Sequence, residues 1–162
     1  MGVKIPGLQA MVKKLNDLGV NVEKTADESL RKSADMMKRE VEKNVRSVSA
    51  SYNGRTYKAV DTGDLLRSIH TEKLGVNRYA VGTISKHAAP VEFGTGSAGD
   101  PAVSHTARPK WTYYNSEKGG YRTAYPQPPR PYMRPAFNSL RDVVIQNMSN
   151  AITKAWKEGV GL

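Results

Sequence analysis

The chain has 162 residues, no cysteine and a formal net charge of +10, and that length suffices for one domain with a real core. The missing thiols exclude disulfides and thiol catalysis, and no run approaches the roughly 20 consecutive apolar residues of a membrane span. The charge is uneven: residues 1–50 carry ten basic and seven acidic side chains, 51–100 six and five, and 101–162 nine and three. Arg108, Lys110, Lys118, Arg122, Arg130 and Arg134 face only Glu117 in between, a pattern that suits a solvated surface first and nucleic acid or an acidic protein ring second.

Pro6 opens a first helical pattern with Leu8, Met11, Val12, Leu15 and Leu18 on one face, and Gly19 is its expected stop. Thr25-Ala26-Asp27-Glu28 has the form of a capping box, so a second helix is expected to start there. Its stripe is Ala26, Leu30, Ala34, Met37, Val41, Val45 and Val48. Such spacing, with Lys and Glu opposite, predicts a long amphipathic helix laid on something broad. Ser47 to Gly54 is polar, with a reversal at Asn53-Gly54. Asp61-Thr62-Gly63 matches the aspartic-protease triplet, but that chemistry needs paired carboxylates in an apolar loop, and Asp64 and Arg67 follow at once. A turn into a strand is the expectation. Leu66–Val76 and Arg78–Ser85 then alternate as an antiparallel pair turning at Asn77.

Two stretches organise the rest. His87-Ala88-Ala89-Pro90-Val91-Glu92-Phe93-Gly94-Thr95-Gly96 reads as one helical turn, with Pro90 early in it and Gly94 as a left-handed stop. Pro128-Pro129-Arg130-Pro131-Tyr132-Met133-Arg134-Pro135-Ala136-Phe137 reads as an extended proline run feeding a helix. Glu92 is the one acid on its turn, and Arg130 and Arg134 are the charges expected to meet it. Between them, residues 95–129 form an excursion: a mobile flank, especially Thr95 to Ala107, and a hairpin of Trp111–Tyr114 and Tyr121–Tyr125 around Gly119-Gly120. Its aromatics are expected to pair across strands rather than stack on bases. The last helix is expected from Tyr132 or Met133 to Glu158, because Pro135 is tolerated only in a first turn. Its stripe is Met133, Ala136, Phe137, Leu140, Val143, Val144, Met148, Ala151, Ile152, Ala155 and Trp156.

No catalytic, metal or cofactor constellation emerges. His70, His87 and His105 are scattered, Gly94, Gly96 and Gly99 lack the context of a phosphate loop, and no serine sits in a nucleophile elbow. The expectation is a non-enzyme of α+β class, with two long amphipathic helices on a small antiparallel sheet, a protruding hairpin and a long mobile loop.

Three pieces in this order carry a resemblance: Asp61-Thr62-Gly63-Asp64-Leu65-Leu66-Arg67-Ser68-Ile69, then Val91-Glu92-Phe93-Gly94-Thr95, then Pro129-Arg130-Pro131-Tyr132-Met133-Arg134-Pro135-Ala136. Together they resemble the head–tail joining (tail-completion, neck) protein family of long-tailed bacteriophages, with Tyr132 where Phe is common. The resemblance implies a single head–tail joining domain over residues 1–162 and a virion protein assembled in the host cytoplasm. It also implies a ring, expected as six copies, between the head connector or stopper and the tail tube or terminator, around the DNA channel. Glu92, Phe93, Gly94, Thr95, Arg130, Pro131, Tyr132, Arg134 and Pro135 would then form protein interfaces. Lys110, Lys118 and Arg122 would face DNA without sequence preference. No membrane partner is implied. The rival from composition alone is a small basic cytoplasmic nucleic-acid-binding protein, which would show tight, steeply salt-dependent DNA binding as a monomer.

Overall fold

The computed structural model describes residues 8–60, 63–104, 107–116 and 119–160. Its elements are α1 (Leu8–Ser47), β1 (Ser49–Tyr52), β2 (Arg55–Lys58), α2 (Asp64–Ser68), β3 (Ile69–Gly75), β4 (Arg78–Thr83), α3 (Ala88–Phe93), β5 (Trp111–Tyr114), β6 (Tyr121–Ala124) and α4 (Met133–Val160). The class is α+β, as the patterns predict. The strands form three antiparallel pairs, β1–β2, β3–β4 and β5–β6. No described helix is long and apolar enough to cross a membrane.

Three sequence expectations change. The first two predicted helices are one: α1 runs through Gly19 and through the Thr25–Glu28 box without a break. A single interior glycine costs only about 1 kcal/mol relative to alanine, which the flanking helix-forming residues outweigh. The polar segment after α1 is a hairpin rather than a bare turn, with Ser49 opposite Lys58 and Tyr52 opposite Arg55. Asn53 (φ 50°) and Gly54 (φ 74°) supply the two positive-φ positions of its turn, which is the twist a two-residue hairpin needs. Gly63 (φ 82°) leads into the short helix α2, so β3 begins only at Ile69. Asp61 and Thr62, like Pro6, His105, Glu117 and Lys118, lie outside the described residues.

The chain groups into two compact units. The first comprises Met1–Met36, Thr71–Ala80 and Ser139–Leu162. There Leu18 is buried, and α4 passes so close that a Cβ on Gly159 would come within 2.1 Å of Leu18 Cδ1. Asp27, inside the expected capping box, fastens the tip of the β3–β4 hairpin to α1. Its carboxylate accepts hydrogen bonds from Lys73 Nζ (2.6 Å), the Tyr79 hydroxyl (3.0 Å) and the Asn77 backbone N–H (3.2 Å). Much of this unit's apolar surface is uncovered. Met11, Val12, Leu15, Val20, Leu74, Val76, Val143, Ile145, Trp156 and Val160 are 44–67% exposed, although five of them lie on predicted inward stripes.

The second unit, Met37–His70 and Val81–Asn138, holds the hydrophobic core. Val41 and Val45 from α1, Ala59, Leu65, Ile69, Val91 from α3, Tyr132 and Ala136 form one buried cluster. Tyr132 is the largest fully buried side chain. The α1 stripe therefore reads correctly from Ala34 to Val45. On α4 only Ala136 is fully buried, and Phe137 is exposed.

Candidate functional site

The two motif stretches meet in the second unit along a short zipper. Thr95 and Gln127 exchange backbone hydrogen bonds (2.8 and 3.1 Å), and the Arg130 N–H donates to the Val91 carbonyl at 2.8 Å. Gly94 makes the approach possible: a Cβ there would sit 2.6 Å from the Gln127 carbonyl oxygen and 2.8 Å from Pro129 N. Its φ of 73° is positive as expected, but its ψ of −174° is extended rather than left-handed helical. Gly94 thus turns the chain toward the proline run instead of closing a helix cap.

Glu92 is the centre of the arrangement. It is 4% exposed and spends both carboxylate oxygens on the start of α4. Oε2 accepts from the backbone N–H of Tyr132 (2.7 Å) and of Met133 (2.9 Å). Oε1 accepts from the backbone N–H of Arg134 and from its Nε, both at 3.1 Å. A helix start leaves its first N–H groups without intrahelical partners and attracts negative charge. Here a carboxylate from another helix takes three of those donors, and the next residue, Pro135, has none to offer.

Arg134 completes the centre. Its Nη1 bonds Asp100 at 2.9 Å and its guanidinium lies 5.0 Å from the Phe93 ring centroid. Hydrogen bonding to Asp100 first, then to Glu92, raises its pKa above the usual arginine value. Asn44 on α1 donates to the Tyr132 carbonyl (3.1 Å), and the Tyr132 hydroxyl donates to the Ala88 carbonyl (3.4 Å). Burial, with the Glu92 charge adding to it, pushes the Tyr132 phenol up to about 12.

The structure thus brings Glu92, Phe93, Gly94 and Thr95 together with Arg130, Pro131, Tyr132, Arg134 and Pro135. It also corrects their pairing. Arg134 meets Glu92, whereas Arg130 turns the other way, donating from Nη1 to the Lys58 carbonyl (3.2 Å) and from Nη2 to Gln127 Oε1 (2.7 Å), beside the Tyr57 ring. Glu92, Arg130 and Tyr132 are buried within the chain, while Arg134 and Pro135 stay exposed and Phe93, Thr95 and Pro131 are half-buried. Asp100, Gln127 and Tyr57 escape a sequence reading because each lies in a stretch with no periodic signal, and Asn44 escapes it because it falls between the apolar positions of the α1 stripe. Lys110 and Arg122 are exposed at the β5–β6 hairpin, where Tyr114 and Tyr121 pack edge to face (centroids 5.5 Å apart). Lys118 lies outside the described residues.

Residues 9–94 of the 162 match a family model described as the bacteriophage HK97-gp10-like tail component. No curated protein and no solved structure shows significant similarity to the chain.

Proposed function

Because the chain belongs to the HK97-gp10-like family of bacteriophage tail components, we propose that it is a structural virion protein of the head–tail junction. In this reading copies of the chain, expected as six, close into a ring that joins the head connector or stopper to the tail tube or terminator. The observation that carries the reading is the uncovered apolar surface of the first unit, where ten large apolar side chains are 44–67% exposed. Exposed apolar surface of this kind marks protein–protein contacts where it is contiguous, and neighbouring copies in a ring would cover these side chains.

The Glu92–Arg134 centre has a supporting part in that assembly. Glu92, Arg130 and Tyr132 hold the backbone rigid from beneath, and Phe93, Thr95, Pro131, Arg134 and Pro135 present the docking surface. A surface fixed in advance loses little entropy on binding. Lys110 and Arg122 supply exposed positive charge that suits a channel carrying DNA past the ring. The work of such a protein is assembly rather than catalysis.

A phage lacking this chain tests the reading. Infected cells should accumulate DNA-filled heads and finished tails separately, and purified protein added to the extract should join them. Heads without any finished tails, or normally joined particles, would overturn the junction assignment.

A further inference from the structure

Asn53 is the one asparagine of the chain's nine that a glycine follows. With Gly54 it forms the turn of the β1–β2 hairpin, both residues exposed and at positive φ (50° and 74°). Nothing lies within 4 Å of the place a Cβ on Gly54 would take, so no neighbour crowds the turn from that side. The flanks are weak as well. β1 and β2 have four residues each, five of the eight are exposed, and a two-stranded hairpin by itself is only marginally stable.

The other asparagines are held differently. Six lie inside α1 or α4, where the N–H of the next residue is bonded into the helix. Asn77 shares the left-handed conformation (φ 52°). Arg78 follows it, however, its side-chain oxygen is buried, and its own N–H is tied to Asp27. Asn115 is half-buried and precedes Ser116.

We propose that Asn53 is a site of spontaneous modification, losing its amide through attack by the Gly54 backbone nitrogen. That nitrogen gives its proton to hydroxide and bonds to the Asn53 Cγ. The carboxamide nitrogen takes a proton from water and leaves as ammonia, which closes a five-membered succinimide. Water then opens the ring at one of its two carbonyls. Opening at Cγ leaves aspartate, whereas opening at the main-chain carbonyl leaves isoaspartate, with the chain continuing through the side chain. The left-handed turn holds the Gly54 nitrogen away from the carboxamide, so ring closure waits for the hairpin to open locally. The two products then part ways. Asp-Gly suits the same turn, but isoaspartate adds a backbone carbon and cannot keep Tyr52 opposite Arg55. Beyond that pair, β2 carries the Lys58 carbonyl that accepts from Arg130 Nη1 and the Tyr57 ring beside that guanidinium. The isoaspartyl form therefore loosens the hairpin that steadies the proline run. The inference stands apart from the junction assignment.

The test incubates the full chain, its Asn53→Gln variant and a synthetic peptide of residues 47–55 at neutral and mildly alkaline pH, followed by trypsin and mass spectrometry. Cleavage after Arg46 and Arg55 releases Ser47–Arg55 from the unaltered protein. That peptide should gain the mass difference between an amide and an acid and divide into aspartate and isoaspartate forms on chromatography. It should do so about tenfold or more faster than any other asparagine peptide of the protein, a barrier lower by about 1.4 kcal/mol. The rate should rise with hydroxide and stay below that of the synthetic peptide. Asn53→Gln, whose longer side chain closes no five-membered ring, should keep its amide. Backbone hydrogen exchange over residues 52–58 should quicken in the isoaspartyl protein and stay unchanged in Asn53→Asp. No conversion at Asn53, faster conversion at another asparagine, a rate equal to the synthetic peptide's, or undisturbed exchange in the isoaspartyl protein would overturn the proposal.

Discussion

Glu92 does from outside α4 what a cap residue ordinarily does from its first turn. Replacing it with Ala removes the acceptor of three backbone donors and of Arg134 Nε, although Arg134 keeps Asp100, and should cost about 1–3 kcal/mol by chemical denaturation, as leaving a buried donor unsatisfied does. Glu92→Gln keeps one acceptor oxygen and should cost less. Charge reversal at Arg134 sets a new carboxylate against Glu92 and Asp100, so the variant should lose stability as well as any docking role. Tyr132 adds a pH signature. Its phenol titrates near 12 in the fold instead of its ordinary 10.0, so its contribution is fully present below pH 10 and is lost as pH rises toward 12. Tyr132→Phe should lack that alkaline loss, and equal alkaline unfolding profiles for the two proteins would contradict the burial described. Sequence made Glu92 conspicuous, as a lone acid beside a glycine, but not its partner. Arg130 and Arg134 sit in the same proline run, and only the turn of the chain into α4 decides which one faces back.

At the level of elements, period and turn chemistry carried most of what could be read. The α1 stripe, the Asn77 turn, the Gly119-Gly120 hairpin and the proline-fixed start of α4 all follow from local rules. The β1–β2 pair does not, because four-residue polar strands have too little alternation to register. The helix break at Gly19 failed because punctuation residues state a cost, and tertiary context decides whether it is met. Gly19 has open space around its Cβ position, so Gly19→Ala should stabilise the protein by about 1 kcal/mol, seen as a higher melting temperature by circular dichroism. Asp27 shows the same lesson. Its carboxylate titrates below the ordinary value, mainly through the Lys73 hydrogen bond, with Tyr79 and the Asn77 N–H adding to it against burial. The stabilisation it gives is present above the unfolded value of about 3.9 and is lost as pH falls through the lower folded value. Asp27→Asn should therefore be less stable than the unaltered protein at neutral pH, with the gap closing under acid. A constant gap across that range would show that Asp27 does not hold the hairpin through its charge.

For the whole molecule, the first unit's uncovered apolar side chains make an expectation separate from the virion assay. Val20→Lys and Ile145→Lys change exposed positions and should shift monomer stability by no more than about 0.5 kcal/mol. Both should nonetheless lower joining of heads to tails in the extract, and a full yield from both would remove this surface from the assembly. The excursion between the motifs gives a practical opening as well. Thr95 and Gln127 are bonded to each other, which closes the loop between them at its base, while Asp100 within it reaches Arg134. Lengthening such a loop costs only about 0.6 kcal/mol per doubling, so the Gly119-Gly120 turn is the natural place to splice in an epitope or a compact fluorescent reporter, making the protein traceable through assembly without touching either end of the chain.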